Sequence, residues 1–311
     1  MKYPTFLKEN SSIGITALSS GAGKDILEVK RSFNNLKRNF HIIATKDSYG
    51  SEIVSDNETE RAKEFNELLD EDIDYLLILR GGNFLLETLD KLDYQKLIQK
   101  NIWVGGYSDP STLLYTLTCK YDLATIYGFN AKSFDNLDNI DQRQNLEIIK
   151  GTRNKQESFT SDLKSLNGDF SSSGILIGGC LDALRNIFGT DFDDTNKFIE
   201  KYHDKKIIWY FDIFEMNSID TYLTLLQMKL MGYFKYSDTF LIGKILFSDE
   251  REEIKYVDAY QKIFGNSNIV IDTDIGHVKP SFTIINGSLG RITYKDNHLS
   301  IIMECNNENN G

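Results

Sequence analysis

The 311-residue chain has only four histidines, three cysteines, three prolines and two tryptophans. Its cysteines, Cys119, Cys180 and Cys305, are odd in number, widely separated and in no CxxC pair, which argues against a disulfide framework or a cysteine-based zinc site. Buried small hydrophobes are the better interpretation for the first two. No HExxH segment occurs either, which disfavours a metallopeptidase of that kind. We therefore expect neither a metal nor a cofactor.

Long apolar runs and an excess of basic residues are also lacking. No stretch of about 18 apolar residues occurs, so no transmembrane helix is expected. The beginning, MKYPTFLKENSSIGITA, lacks the apolar segment and cleavage site of a secretory signal, which makes the cytoplasm the expected location and a membrane an unexpected partner. The net charge of −11 argues against a nucleic-acid partner, because such a protein needs a basic face.

Short apolar runs alternate with amphipathic segments through the first 130 residues. Strands are predicted at Ile13–Ala17, His41–Ala44, Tyr75–Leu79, Ile102–Gly105 and Ala124–Tyr127. Helices are predicted at Ile26–Leu36, Glu60–Leu69, Phe84–Leu89 and Ser111–Cys119. Strand and helix in alternation predict an α/β domain, with a parallel sheet and helices on both of its faces.

The pattern changes at residues 131–172, which are polar and predict a connection with some local helix or hairpin. Strand signals then return at Ile175–Ile177, Ile207–Phe211, Phe240–Ile245, Ile269–Ile271, Arg291–Tyr294 and Leu299–Met303, the last two forming a terminal hairpin. Helices are predicted at Leu181–Phe188 and Ile219–Met231. We expect an N-terminal domain at 1–135, a connecting segment at 136–172 and a C-terminal domain at 173–311.

The sharpest local feature is the segment WVGGYSDPSTLL, which begins at Trp103. An apolar strand runs into the Gly105-Gly106 turn, then Ser108, then a helix, so the serine would sit on a sharp bend at the carboxyl edge of the sheet. This arrangement is typical of a nucleophile elbow, although the spacing of the glycines differs from GxSxG. The alternative is that Ser108 only caps the helix.

A second glycine turn, Arg80-Gly81-Gly82-Asn83, follows the apolar run YLLIL. Paired glycines let the backbone approach a ligand closely and turn N–H groups outward. The N–H groups of Gly82 and Asp109 would suit the two halves of an oxyanion hole, although such a turn is more often only a turn.

A nucleophilic serine needs a base, and His277 is the best candidate. It lies between Gly276 and Pro280 in a turn beyond a strand, where α/β proteins place catalytic groups, whereas the other three histidines look like surface residues. An imidazole base must be oriented by a carboxylate. Asp212 ends an apolar strand and Glu215 follows three residues later, and composition cannot choose between a helix cap and a functional acid there.

Several of these segments together resemble the LD-carboxypeptidase family, peptidase family S66, which includes the microcin C immunity proteins. The matching segments run through most of the chain in the family's order: Ile13-Gly-Ile-Thr-Ala, Ala44-Thr-Lys-Asp-Ser-Tyr-Gly, Arg80-Gly-Gly, Gly106-Tyr-Ser-Asp, Ile126-Tyr-Gly, Ile177-Gly-Gly-Cys-Leu, Phe188-Gly-Thr, Phe240-Leu-Ile-Gly-Lys, Asp274-Ile-Gly-His and Ile285-Asn-Gly. The resemblance implies a flavodoxin-like domain, similar to class I glutamine amidotransferases, followed by an α/β swivelling domain.

The resemblance also implies a Ser–Glu–His triad split between the two domains, which falls on Ser108, Asp212 and His277. Asp212 departs from the family because aspartate is one methylene shorter than glutamate, and Glu215 is the alternative acid. Leu18, where the family usually carries proline, is a second departure and looks structural. Gly82 and Asp109 would hold the oxyanion.

The function implied is a serine carboxypeptidase that cleaves the LD bond of cytoplasmic murein tetrapeptides during peptidoglycan recycling. Its partner is a small peptide, whose terminal carboxylate Arg80, Gly81 and Lys279 are candidates to bind. Two alternatives stay open: hydrolysis of a peptide–nucleotide antibiotic, as in the immunity branch, and a non-catalytic relative that only binds muropeptides. The family precedent further implies a homodimer.

Overall fold

The computed structural model describes residues 1–306 and contains two β-sheets flanked by helices. The strands are β1 Ser12–Thr16, β2 His41–Ala44, β3 Tyr75–Ile78, β4 Trp103–Gly106, β5 Thr125–Tyr127, β6 Lys155–Glu157, β7 Lys164–Ser165, β8 Phe170–Cys180, β9 Ile207–Asp212, β10 Ser237–Gly243, β11 Asn268–Thr273, β12 Ile284–Asn286, β13 Leu289–Lys295 and β14 His298–Glu304.

The α-helices are α1 Ile26–Leu36, α2 Glu58–Leu68, α3 Tyr94–Lys100, α4 Ser111–Tyr121, α5 Ile140–Ile149, α6 Leu181–Leu184, α7 Thr195–Lys201, α8 Ser218–Leu230 and α9 Tyr256–Phe264. Short 3₁₀ helices lie at Gly23–Asp25, Lys46–Tyr49, Leu85–Lys91, Ala131–Phe134 and His203–Lys205. No helix within residues 1–306 combines the length and the apolar character needed to cross a membrane.

The first sheet has the strand order β12-β5-β4-β3-β1-β2. Its five N-terminal strands are parallel, which confirms the predicted α/β class. Strands β3 and β4 are buried along their whole length, as expected of strands covered on both faces. Because β3 and β4 are neighbours in this sheet, the turns that follow them, at residues 80–83 and 107–110, emerge at the same edge.

The sixth strand of this sheet comes from far along the chain. Strand β12 pairs antiparallel with β5, with Ile284 opposite Tyr127 and Asn286 opposite Thr125. The chain therefore returns to the first sheet after it has built most of the second. This strand was not predicted from the sequence.

The second sheet has the order β6-β14-β13-β8-β9-β10-β11-β7. Its centre, β8 to β11, is parallel, and antiparallel strands extend it on both sides. In the pairing of β8 with β9, Cys180 lies opposite Asp212, so both strands end at one point. The connecting segment contributes helix α5 and the two edge strands β6 and β7, so it holds more regular structure than the expected local helix or hairpin.

Several element boundaries differ from the predictions. The helix expected at Phe84–Leu89 is a 3₁₀ helix over Leu85–Lys91, and the one expected from Leu181 is α-helical only as far as Leu184. The strand expected at Phe240–Ile245 begins and ends earlier, at Ser237 and Gly243. Helices α3, α7 and α9 were not predicted; the first two are only seven residues long, which gives little periodicity to detect.

Candidate active site

Ser108 lies in the bend between strand β4 and helix α4. Its backbone φ is +70°, a left-handed conformation that is rare for residues other than glycine and costs free energy. The turn after β3 packs directly on this bend, since a Cβ built on Gly81 would lie 3.0 Å from Ser108 Cβ and 3.3 Å from its Oγ. The strained turn between strand and helix holds the hydroxyl at the edge of the sheet, as in a nucleophile elbow.

A chain of hydrogen bonds joins the three predicted side chains. His277 Nε2 lies 3.2 Å from Ser108 Oγ, and His277 Nδ1 lies 3.1 Å from Asp212 Oδ1 and 2.9 Å from its Oδ2. A carboxylate only accepts, so the ring carries its proton on Nδ1 when Asp212 is ionised. Nε2 is then an acceptor facing the hydroxyl, which is the arrangement needed to take its proton.

The Asp212 carboxylate is held from two further directions. It is almost fully buried at the end of β9, and Tyr127 in β5 donates its hydroxyl proton to Asp212 Oδ2 over 2.5 Å. Burial raises the pKa of Tyr127 well above its usual value, so the phenol remains a donor. Gly276, with φ +96°, packs so closely that a Cβ there would fall inside the carboxylate. These contacts bring the short aspartate into reach of the ring.

Two aromatic side chains fix the orientation of the imidazole. The Phe214 ring stacks on His277 with a centroid distance of 3.9 Å and an interplanar angle of 20°, and Tyr107 lies at 4.7 Å. Burial raises the pKa of Tyr107 far above its usual range, so this phenol also stays neutral.

Cys180 lies beside the same pair, and its Sγ, a His277 ring nitrogen and an Asp212 oxygen all lie within 4.8 Å of one another. Sulfur, nitrogen and oxygen are ligands that zinc accepts. However, both ring nitrogens of His277 already make hydrogen bonds, so a metal ion here would have to break one of them. Burial also raises the pKa of the Cys180 thiol well above its usual value, which opposes formation of the thiolate ligand.

The residues that carry the candidate oxyanion donors, Gly82 and Asp109, line the same cavity as Ser108. Within residues 1–306, the N–H groups of Gly82 and Asp109 donate no hydrogen bond, so both are available to an oxyanion. The Asp109 side chain turns away and accepts from the N–H of Leu85 over 3.0 Å. Burial raises the pKa of this carboxyl. Asp109 therefore ties the turn that contains Gly82 to the bend that contains Ser108.

A cavity of about 670 Å³ opens over these groups. All of the predicted binding residues, Arg80, Gly81 and Lys279, line it, but they differ in availability. The Arg80 guanidinium pairs with Asp25 at 2.9 Å, whereas Lys279 is exposed. Glu215, the alternative acid, also lines the cavity and forms no hydrogen bond with His277; Asp212 makes that contact.

Family models match both halves of the chain: an LD-carboxypeptidase N-terminal domain at residues 13–128 and an LD-carboxypeptidase C-terminal domain at residues 173–292. The chain belongs to the LD-carboxypeptidase family, peptidase family S66. Membership of this family makes it a relative of peptide-bond hydrolases. No curated protein matches it in sequence.

Solved structures share the two-domain fold of this family member. The wild-type microcin C7 self-immunity protein MccF in its apo state has a TM-score of 0.81 at 20% identity, covering 97% of this chain and 98% of that one. An MccF-like protein from Bacillus anthracis has a TM-score of 0.79 at 19% identity, covering 98% and 100%. A muramoyltetrapeptide carboxypeptidase from Oxalobacter formigenes has a TM-score of 0.78 at 19% identity, covering 95% and 99%.

Sequence reasoning missed Tyr127, Phe214 and the proximity of Cys180 to the site. Tyr127 was only part of a family segment, although its position at the end of a strand, before Gly128, was a signal that it lies at the sheet edge. Phe214 lies two residues beyond Asp212, where an aromatic in a turn could have been taken as a wall of the site. Nothing local distinguished Cys180 from an ordinary buried cysteine.

Proposed function

We propose that this protein is a serine carboxypeptidase that cleaves the LD peptide bond of a short murein peptide. One observation carries the proposal: the continuous hydrogen-bond chain from Ser108 through His277 to Asp212, at the mouth of a cavity and in a peptidase fold. A protein that only bound muropeptides would not need a strained serine aligned with an imidazole base.

In the proposed reaction, Ser108 Oγ attacks the carbonyl carbon of the scissile bond while its proton passes to His277 Nε2. The N–H groups of Gly82 and Asp109 bind the oxyanion that forms, and Asp212 stabilises the imidazolium through Nδ1. Collapse of this intermediate breaks the C–N bond, and His277 Nε2 returns the proton to the departing amine. Water then attacks the acyl-enzyme by the same route and releases the acid and the free serine.

The second candidate is hydrolysis of an aminoacyl or peptidyl nucleotide. The likeness to MccF favours it, because one matching MccF structure contains aspartyl sulfamoyl adenosine and covers 97% of this chain at a TM-score of 0.81. The same triad chemistry would cleave both kinds of substrate, because the acyl transfer to serine is the same. The two candidate functions therefore differ only in the leaving group.

The test is to incubate the purified protein with LD-tetrapeptides, their LL isomers and aminoacyl nucleotides, and to identify the products by mass spectrometry. The proposal predicts release of the terminal D-amino acid from the LD-tetrapeptide, lost by a factor of about 10⁴ or more in Ser108→Ala and His277→Ala. A fluorophosphonate probe should label the wild type and neither variant. A wild type that is not labelled and cleaves nothing would favour a binding protein.

We also propose that the protein works in the cytoplasm as a homodimer. Cell fractionation and analytical ultracentrifugation test these two points independently of the chemistry.

A further inference from the structure

Most of the basic groups that line the cavity already have partners. Arg80 pairs with Asp25 at 2.9 Å. Lys132 pairs with the same aspartate and with Glu28 at 3.1 Å. The hydrogen bond from Lys132 lowers the pKa of Asp25, and the positive charges of Lys132 and Arg80 lower it further. Asp25 therefore stays ionised and remains paired with both cations. The charges of Arg80 and Lys132 are therefore already paired with carboxylates of the protein.

The acids of the cavity wall are largely occupied too. The Glu52 carboxylate accepts from the backbone N–H of Lys24 over 2.7 Å and pairs with its ammonium at 3.3 Å. The Asp182 carboxylate accepts from the N–H groups of Phe214 over 2.9 Å and Glu215 over 2.8 Å. Asp109 is the buried acid already described. Asp182 also fixes the backbone of the turn from which the side chains of Phe214 and Glu215 project.

Two charged groups of opposite sign in the described cavity lining have no partner, Glu215 and Lys279. Across residues 1–306, neither the Glu215 carboxylate nor the Lys279 ammonium forms an ion pair or a hydrogen bond, and both line the cavity. Both lie close in sequence to the site: Lys279 is two residues beyond His277, and Glu215 follows Phe214, whose ring covers the imidazole. A concave wall with fixed charges attracts a ligand of the complementary pattern.

We propose that Glu215 is the subsite for an ammonium group on the substrate residue that supplies the scissile carbonyl, while Lys279 receives the anionic part of the leaving group. This inference rests on the proposed function, because it assigns the ends of a substrate attacked by Ser108. It gives Glu215 a role in specificity and leaves the chemistry to the triad.

Two kinds of substrate offer this ammonium. In an LD-tetrapeptide, the residue that supplies the scissile carbonyl can be a diamino acid with a free side-chain amine, and the departing D-alanine carries a carboxylate. In an aminoacyl nucleotide, the α-ammonium adjoins the carbonyl and the leaving group carries the phosphate. The side-chain ammonium of lysine lies four methylenes from the Cα that adjoins the carbonyl, whereas the α-ammonium is bonded to that carbon. Recognition of an ammonium by a carboxylate is the shared chemistry, and experiment decides which of the two groups Glu215 binds.

The experiment compares each substrate with a form that lacks only the positive charge. One arm measures KM and kcat for L-Ala-γ-D-Glu-L-Lys-D-Ala and its Nε-acetyl-lysine counterpart. The other measures Kd by calorimetry for aspartyl sulfamoyl adenosine and its N-acetyl derivative. In at least one arm, Glu215→Gln should raise KM or Kd about 10- to 100-fold for the free amine. For the acetylated form the increase should be less than about twofold.

Glu52→Gln is the matched control, since it removes an acid from the same cavity wall whose charge is already paired. It should change both members of each pair by the same factor. The inference is overturned if Glu215→Gln affects free and acetylated forms equally in both arms, or if the wild type accepts none of the amines. Fluorophosphonate labelling of Ser108 in the same samples then shows whether the hydrolase proposal fails as well or whether only the subsite was wrong.

Discussion

Replacing Tyr127 by phenylalanine removes one oxygen atom and with it a single hydrogen bond, the one donated to Asp212 Oδ2 over 2.5 Å. The ring itself remains, packed against Tyr107 and Tyr210 at centroid distances of 5.6 and 5.7 Å. The acceptor is a carboxylate with about 1% of its surface exposed, so water cannot replace the lost donor. The change therefore tests whether a residue of the first sheet positions the acid of the second.

A hydrogen bond to a charged group contributes about 1.5–3 kcal/mol, and we expect a loss of stability in that range. Asp212 still accepts from His277 Nδ1, so only part of this loss should reach the reaction. About 1.4 kcal/mol of weaker transition-state stabilisation corresponds to a tenfold fall in kcat. We expect that fall with little change in KM, because Tyr127 does not line the cavity.

Tyr210→Phe is the matched control, because Tyr210 is equally buried but its hydroxyl bonds to Asn286 Oδ1 at 2.9 Å and not to Asp212. It should reduce stability by about 0.5–1.5 kcal/mol, less than Tyr127→Phe because its acceptor is a neutral amide, and leave kcat within about twofold. The low-field proton NMR signal of the His277 Nδ1 proton should move in Tyr127→Phe and stay in place in the control. Equal kcat in the two variants, with an unchanged signal, would refute the positioning role.

Three further predictions concern the backbone and a buried acid. Gly276→Ala puts a methyl group where the Asp212 carboxylate lies and should lower kcat at least about 100-fold. Gly265→Ala, also at positive φ but in open space, should cost about 1–3 kcal/mol of stability and leave kcat unchanged. Ser108→Gly should be about 1 kcal/mol more stable to urea than Ser108→Ala, and equal stability would contradict backbone strain at φ +70°. Burial, with a smaller contribution from Glu64, raises the pKa of Asp47 to about 7, so the stability contributed by its protonated form is complete below pH 4 and lost as the pH rises through 7. Thermal unfolding of Asp47→Asn should therefore improve relative to the wild type between pH 4 and 8, by up to about 4 kcal/mol, and a constant difference would contradict the shift.

Local sequence patterns predicted the elements that are stabilised mainly by residues close together in the chain. The helix over Ile26–Leu36 agrees to the residue because Val29, Phe33 and Leu36 give its buried face a clear helical spacing. Strand β12 has only three residues, and its partner β5 lies more than 150 residues earlier in the chain. Nothing in the segment itself identifies it as a strand, because the pairing that makes it one is not local.

The same distinction applies to the site. Ser108 and His277 lie in turns whose glycines and prolines mark them in the sequence, so each could be proposed from its own surroundings. Composition left Asp212 and Glu215 open and only the family resemblance favoured Asp212, whereas the structure shows His277 Nδ1 bonded to Asp212. Tyr127 and Asp212 are 85 residues apart and come from different sheets, so their hydrogen bond has no signature in either segment.

Strand β12 explains why a triad divided between two sheets is already assembled. His277 lies in the segment that leaves β11 of the second sheet and enters β12 of the first, so pairing in both sheets fixes its ends. The turn is closed by the N–H of Phe282, which donates to the carbonyl of Asp274 over 2.6 Å. Ser108 belongs to the first sheet, and Asp212 belongs to the second. Backbone pairing holds the segment that carries the imidazole between them, and Phe214 and Asp212 orient the ring, so the 3.2 Å contact between His277 Nε2 and Ser108 Oγ is already formed without a closing motion.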